Sequence, residues 1–218
     1  MGDIFREVDE ELKQERYEKL WRRYGKYAIG GAIMMVAAVA GWKFWETHQT
    51  SQRLAEGVKF AVATELLRDG KAREAAEIFG KLSEETASGY GTLSSFYEAS
   101  IKAKTGNHIA AIKVYDEIAK NGSVSRSIRD LASILAGLQA THVPSIDGTI
   151  ITKKIQPLSV AGRPYRHIAL EILALTAERT GDLAEARANY RAIVDDPNAA
   201  AEIRTRAAQM LNILGKSN

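Results

Sequence analysis

From Tyr27 through Trp42 the chain carries no charged residue, and after Lys43 the aromatic pair Phe44 and Trp45 closes the run. At the helical rise, the stretch 27–45 is about 28 Å long, which matches the hydrocarbon thickness of a bilayer. Lys43 lies near one end, where its stem can carry the ammonium out to the headgroups. Tyr24 and Tyr27 flank one side and Trp42, Phe44 and Trp45 the other, as interfacial aromatic belts do. The sequence therefore predicts a single membrane-spanning helix over 27–45, with most of the chain working beside a membrane.

Charge sets the expected orientation. Arg16, Lys19, Arg22, Arg23 and Lys26 precede the apolar run, whereas only Arg53 and Lys59 come after it over a comparable distance. A Lys/Arg excess stays in the cytoplasm. This predicts a cytoplasmic leader (1–26), a single-pass anchor (27–45) and an exported domain (46–218).

A buried core helix is the first rival reading, and the paired basic and aromatic flanks argue against it. A cleaved signal is the second, since Ala38-Val39-Ala40 fits the small-x-small cleavage pattern with the cut after Ala40. The leader is long and holds seven acids, unlike a short basic signal region, and the apolar run continues past that point. A retained anchor fits better.

The leader itself reads as helix, with Ile4, Phe5, Val8 and Leu12 at helical spacing. It is expected to be a solvated helix whose basic end meets anionic lipid, with an amphipathic docking segment as the alternative.

Beyond the anchor, alanine and leucine are plentiful, only four prolines occur in the chain, and few windows alternate with period two. These features favour an all-helical domain. From Glu46 onward 22 Lys/Arg face 20 Asp/Glu, so no basic footprint for nucleic acid is present. The absence of cysteine excludes disulfides, thiolate metal sites and cysteine catalysis.

An internal repeat gives the domain its architecture. Gly70, Gly106 and Gly181 open three segments that can be superposed. Five residues after each glycine stands an alanine (Ala75, Ala111, Ala186), and nine after it an aromatic (Phe79, Tyr115, Tyr190). Twelve after it stands an aliphatic (Leu82, Ile118, Ile193), and seven before it another alanine (Ala63, Ala99, Ala174). Glycine suits the backbone between two helices, small alanines let helix axes approach, and the larger residues fill the groove between them. The glycines at 106 and 181 leave room for one divergent pair, expected to be irregular because of Pro144, Gly148 and Pro157. First helices are predicted at about 54–68, 90–104, 126–141 and 164–179, giving an α-solenoid of about four helix pairs.

These columns resemble the tetratricopeptide repeat (TPR), whose period is about 34 residues. The resemblance covers Leu54 to Leu214. It departs from the repeat in lacking the tryptophan and tyrosine of the first helix and most of the closing prolines.

The layout of leader, anchor and exported TPR-like domain also resembles the YfgM-type ancillary subunits of the bacterial Sec translocon. Supporting text is Lys154-Ile155-Gln156-Pro157-Leu158, Arg163-Pro164-Tyr165-Arg166, Leu170-Glu171-Ile172-Leu173-Ala174-Leu175, and Ile203-Arg204-Thr205-Arg206-Ala207-Ala208-Gln209-Met210-Leu211. That resemblance implies a place in the bacterial inner membrane with the 46–218 domain in the periplasm, and partners: the Sec translocon, a membrane-anchored periplasmic chaperone of the peptidyl-prolyl isomerase type, and exported polypeptides.

No catalytic set, cofactor motif or metal site is legible. His48, His108, His142 and His167 are scattered without metal-ligand spacing, and His108 reads as a surface residue at a helix start. Glu84-Glu85 adjoins a helix end, and Asp196-Pro197 reads as an N-cap followed by proline at the first helical position.

What remains is a protein-binding groove along the first helices. The residues left over from the repeat columns are Phe60, Thr64, Arg68, Phe96, Ser100, Lys104, Glu171 and Arg179. They would suit an extended or helical peptide, unless the two phenylalanines are simply core. Two other functions compete with the translocon adaptor. One is a TPR adaptor in envelope assembly or division. The other is a membrane-anchored enzyme or ligand receptor using 143–162, which contains Asp147, Lys153 and Lys154. Ala37 and Gly41 form a small-xxx-small pair that could pack the anchor against a partner.

Overall fold

The computed structural model describes residues 3–86 and 89–215; the side chains of 3–20, 28 and 32 lie outside that description. The leader stripe of Ile4, Phe5, Val8 and Leu12 therefore lies outside the described residues. Every described element is helical, in agreement with the all-α expectation. The chain divides into two compact units, Met1–Ala55 and Glu56–Asn218.

The first unit is formed by the long helix α1 (Asp3–Arg68) as far as Ala55. It contains a stretch long and apolar enough to cross a membrane, and none of that stretch is buried. Trp42, Phe44 and Trp45 are exposed, and Lys43 bonds to Glu46 one turn on at 2.9 Å. On the basic flank, the Arg23 guanidinium lies 5.6 Å from the Tyr24 ring centre and the Lys26 ammonium 5.1 Å from that of Tyr27.

The second unit begins within α1 and continues as α2 (Ala72–Glu85), α3 (Gly89–Lys104), α4 (His108–Lys120), α5 (Arg126–Thr141), α6 (Gly148–Ile155), α7 (Arg166–Thr180), α8 (Leu183–Val194) and α9 (Ala201–Gly215). A 3-10 turn, Gln156–Leu158, comes directly after α6. Helices α3, α5 and α7 occupy the places predicted for first helices to within two residues at each end, whereas the first of them, 54–68, is the last part of α1 and has no start of its own. From α2 onward each packs against its neighbours in the chain, which is the nearest-neighbour logic of a solenoid.

Every residue of the repeat columns is in the core. Ala63, Ala99, Ala174, Ala75, Ala111 and Ala186 are wholly buried, as are Phe79 and Ile193, and Tyr115, Tyr190, Leu82 and Ile118 nearly so. The three glycines adopt positive φ (80°, 83° and 85°), the left-handed conformation that glycine takes without steric cost. Each closes its helix with the same two bonds. Lys71 N donates to Leu66 O (2.9 Å) and Gly70 N to Leu67 O (3.2 Å). Asn107 N donates to Lys102 O (2.8 Å) and Gly106 N to Ala103 O (3.0 Å). Asp182 N donates to Ala177 O (2.9 Å) and Gly181 N to Glu178 O (3.1 Å). This is the Schellman closure, made three times by one spacing. The residue after the glycine then starts the next helix. Asn107 Oδ1 accepts from Ala110 N at 3.2 Å and Asp182 Oδ1 from Glu185 N at 2.9 Å, whereas Lys71 offers no such cap.

The divergent pair is α5 and α6. Helix α5 is regular and full length, so the irregularity is confined to the segment after it. Val143 and Pro144 occupy the turn, where a β-branched residue resists positive φ and proline has no N–H to donate. A Schellman closure is therefore unavailable, and the chain detours through His142–Asp147 before Asp147 caps α6 by accepting from Thr149 N at 2.9 Å. The detour is fastened by Arg179 Nη1, which donates to the carbonyls of Val143 (3.3 Å) and Pro144 (3.4 Å).

One local expectation is corrected. Asp196 does not cap α9, which starts at Ala201. Asp196-Pro197-Asn198 instead forms a turn, with Ala199 N donating to Asp196 O at 3.1 Å. Aspartate first and proline second are the residues such a turn favours, and they outweigh the helix-start reading. Helix α9 then covers the end of the stack, packing Ala207 and Leu214 on α8. It is tied back by Arg206, which forks onto Glu171 of α7 (Nη2 to Oε2 2.6 Å), and by Arg187 Nη1, which donates to Leu214 O at 3.0 Å.

Candidate functional site

The eight residues predicted for a groove divide by their contacts. Phe60 is half-buried and meets Phe79, Tyr90 and Tyr97, with ring centres 5.4 to 5.6 Å apart. Phe96 packs on the next core with its ring 5.9 Å from that of Tyr115. Thr64 donates its hydroxyl to Ala61 O, and Arg68 pairs with Glu65 at 2.8 Å. Ser100 is partly buried and Lys104 exposed, one turn apart on α3. Glu171 and Arg179 are held by the contacts with Arg206 and with the Val143–Pro144 carbonyls.

A cleft opens on the other side of α3. It has a volume of about 670 Å³ and lies between α2 and α4, with α3 as its floor. Gly91, Ser95, Glu98 and Lys102 of α3 line it. At 100° per residue these four share one face, and Phe96, Ser100 and Lys104 share the opposite one. Gly91 is needed for the floor, because a Cβ there would stand 2.0 Å from Thr86 O. Glu98 is the central polar group: it pairs with Lys102 at 3.2 Å and accepts from Ser83 Oγ at 3.3 Å. Sequence reasoning missed this cleft. Its lining comes from the residues left after the core columns are assigned, and only the antiparallel packing of three helices brings them together. The Glu98–Lys102 spacing on α3 is the one signal visible in the sequence.

Two polar clusters elsewhere are structural. Asp196 Oδ2 is met by Arg166 and by His167 Nε2 (2.9 Å), and Asn198 N donates to Oδ1 at 2.9 Å. The His167 hydrogen bond, the Asn198 amide and the His167 charge together hold the Asp196 carboxyl down at about 2. His108 Nδ1 bonds to Gln139 Oε1 at 2.8 Å and stacks on His142, so it is half-buried rather than free at the surface. In 143–162, Asp147 is engaged in capping, Lys154 pairs with Asp116 of α4, and Lys153 is exposed. These three groups do not converge. Among the described residues no three His, Asp or Glu side chains gather where they could hold a metal ion.

Antiparallel helix pairs joined through left-handed glycines, with a cleft across α2, α3 and α4, define a repeat scaffold of the protein-binding class. The tetratricopeptide repeat-like domain model matches residues 18–145, more than half of the sequence, and the chain belongs to that family. No curated protein and no solved structure matches the chain. The match ends at Ser145, inside the α5–α6 detour, yet the repeat resumes in the burial of Ala174, Ala186, Tyr190 and Ile193 beyond it.

Proposed function

We propose that this protein is a non-enzymatic, membrane-anchored interaction adaptor of the bacterial inner membrane, ancillary to the Sec translocon. In this reading the leader is cytoplasmic and the repeat domain periplasmic. The domain holds a membrane-anchored chaperone of the peptidyl-prolyl isomerase type beside exported polypeptides. The observation that carries the reading is a TPR-like stack on the same chain as an apolar helix whose basic flank precedes it. Repeat scaffolds of this class are typically binding modules, and a chain anchored this way keeps its binding surfaces near an export site. The C-terminal sequence blocks support the translocon assignment in particular.

Photo-crosslinking in native membranes tests it. Crosslinkers placed at Ser100 and at Lys104 are expected to capture secretion components or periplasmic chaperones. Neighbours drawn only from other processes would remove the translocon assignment. A protease added to intact spheroplasts is expected to digest the repeat domain; protection of that domain would reverse the orientation.

A further inference from the structure

The cleft on the α2–α4 side of α3 is electrically two-ended. Helix α3 runs antiparallel to α2 and α4, so the half floored by Gly91 and Ser95 is flanked by the C-terminal ends of both neighbours. Helix C-termini carry partial negative charge. Glu84 of α2 and Glu117 of α4 add two carboxylates to that half, both exposed and neither in an ion pair among the described residues. The other half, floored by Glu98 and Lys102, is bordered by Lys113 of α4, which is also exposed and unpaired among the described residues.

The placement of Glu84 runs against local helix chemistry. The last turn of α2 has no basic residue and ends in Glu84-Glu85, where the helix dipole disfavours acids. Lys59 relieves Glu85 at 3.0 Å, but no described residue relieves Glu84, which faces the cleft. Positions that break a local rule without compensation are where function is expected to be paid for. The floor from Gly91 to Lys102 is about 16 Å long, the reach of roughly five extended residues.

We propose that this cleft binds an extended polypeptide segment with a basic side chain at the Glu84–Glu117 end and an acidic one toward Lys113. The proposal rests on the adaptor reading only in taking the partner to be a polypeptide. It adds a second docking surface, on the opposite side of α3 from Ser100 and Lys104, and fixes where the basic and acidic groups of the bound segment lie. Charge complementarity at both ends selects that placement, and the Ser, Thr and Asn groups along the lining can take main-chain hydrogen bonds.

The test uses the full chain in detergent micelles and fluorescent peptides in which a lysine and a glutamate are separated by neutral polar residues. The peptide is made in both charge orders and in a glutamine-substituted neutral form. Both charge orders are expected to bind saturably and about fivefold more tightly than the neutral form, on the scale of one well-placed exposed ion pair. The double variant Glu84→Lys, Glu117→Lys is expected to lose that preference while keeping its helical circular dichroism and a thermal midpoint no lower than that of the unaltered chain, since both positions are exposed. Equal binding of all three peptides overturns the proposal, as does an unchanged preference in the variant. Displacement of the peptide by an equal concentration of spermidine also overturns it, because the cleft would then be reading charge alone. If the double variant keeps its crosslinked neighbours in membranes while no peptide preference exists, the cleft assignment fails and the adaptor reading stands. Loss of secretion neighbours from the unaltered chain sinks the adaptor reading instead.

Discussion

Phe79 and Tyr97 lie nearly parallel, with ring centres 4.8 Å apart and planes 18° from each other. One comes from the second helix of the first pair and the other from the first helix of the next. The stack therefore fastens consecutive repeats together and depends on the fully buried Phe79. Replacing Phe79 with alanine is expected to cost about 3–5 kcal/mol, the range for emptying a buried aromatic site. A denaturant titration checks it. A loss under about 1 kcal/mol would mean that the first pair is not cooperatively joined to the rest.

The three glycine turns allow an internal comparison. Asn107 and Asp182 cap α4 and α8, and Lys71 holds the same place before α2 without capping it. Lys71→Asp is expected to stabilise the domain by about 0.5–2 kcal/mol, by supplying the missing acceptor and a negative charge at the helix start. The thermal midpoint should rise, and it should not rise for Lys71→Ala.

Two glycines should fail for different reasons. Gly106→Ala forces an alanine into left-handed backbone and is expected to cost about 1–2 kcal/mol. Gly91 has no such φ, but the backbone oxygen 2.0 Å from its added Cβ cannot move aside as a side chain would. Gly91→Ala is therefore expected to be destabilising by about 1–3 kcal/mol and to alter the cleft floor. Chemical-shift changes spreading along α2 and α3 for Gly91→Ala, but confined to the turn for Gly106→Ala, would separate the two causes.

The pH dependence has a definite sign. His167 and Asn198 bonds hold Asp196 at about 2, below its usual value of 3.8. A carboxyl lowered on folding contributes stability above its unfolded pKa and loses it as pH falls through the folded one. The contribution of Asp196 should thus be complete above about pH 4 and fade between 4 and 2. Stability measured against pH for the unaltered chain and for Asp196→Asn should converge across that window. Curves that stay parallel from pH 6 to 2 would show that the Arg166–His167–Asp196 contact does not form in solution.

The parts of this fold legible in the sequence are those fixed by spacing. Alanine, aromatic and aliphatic residues at set distances from glycine have one packing solution, and all of them are buried as that solution requires. The first helices came from the same register. The rest was not legible because it depends on contacts distant in sequence. The burial of Phe60 results from Tyr90 and Tyr97 arriving from α3, and the engagement of Arg179 results from a detour that no periodicity announces. Asp196-Pro197 was ambiguous because the same dipeptide opens turns and helices alike. The cleft was invisible because its lining is defined by the space that three separate helices leave unfilled.

Helix α6 has only eight residues, too few to hold its own hydrogen bonds in isolation. It survives on borrowed support: Lys154 to Asp116 on one neighbour, and Ile151 and Ile155 buried among residues of α5 and α7. Its amide protons should accordingly exchange with solvent sooner than those of the flanking helices, and a protease probing the native domain should make its first nick there. The third repeat is where wear on this molecule would begin.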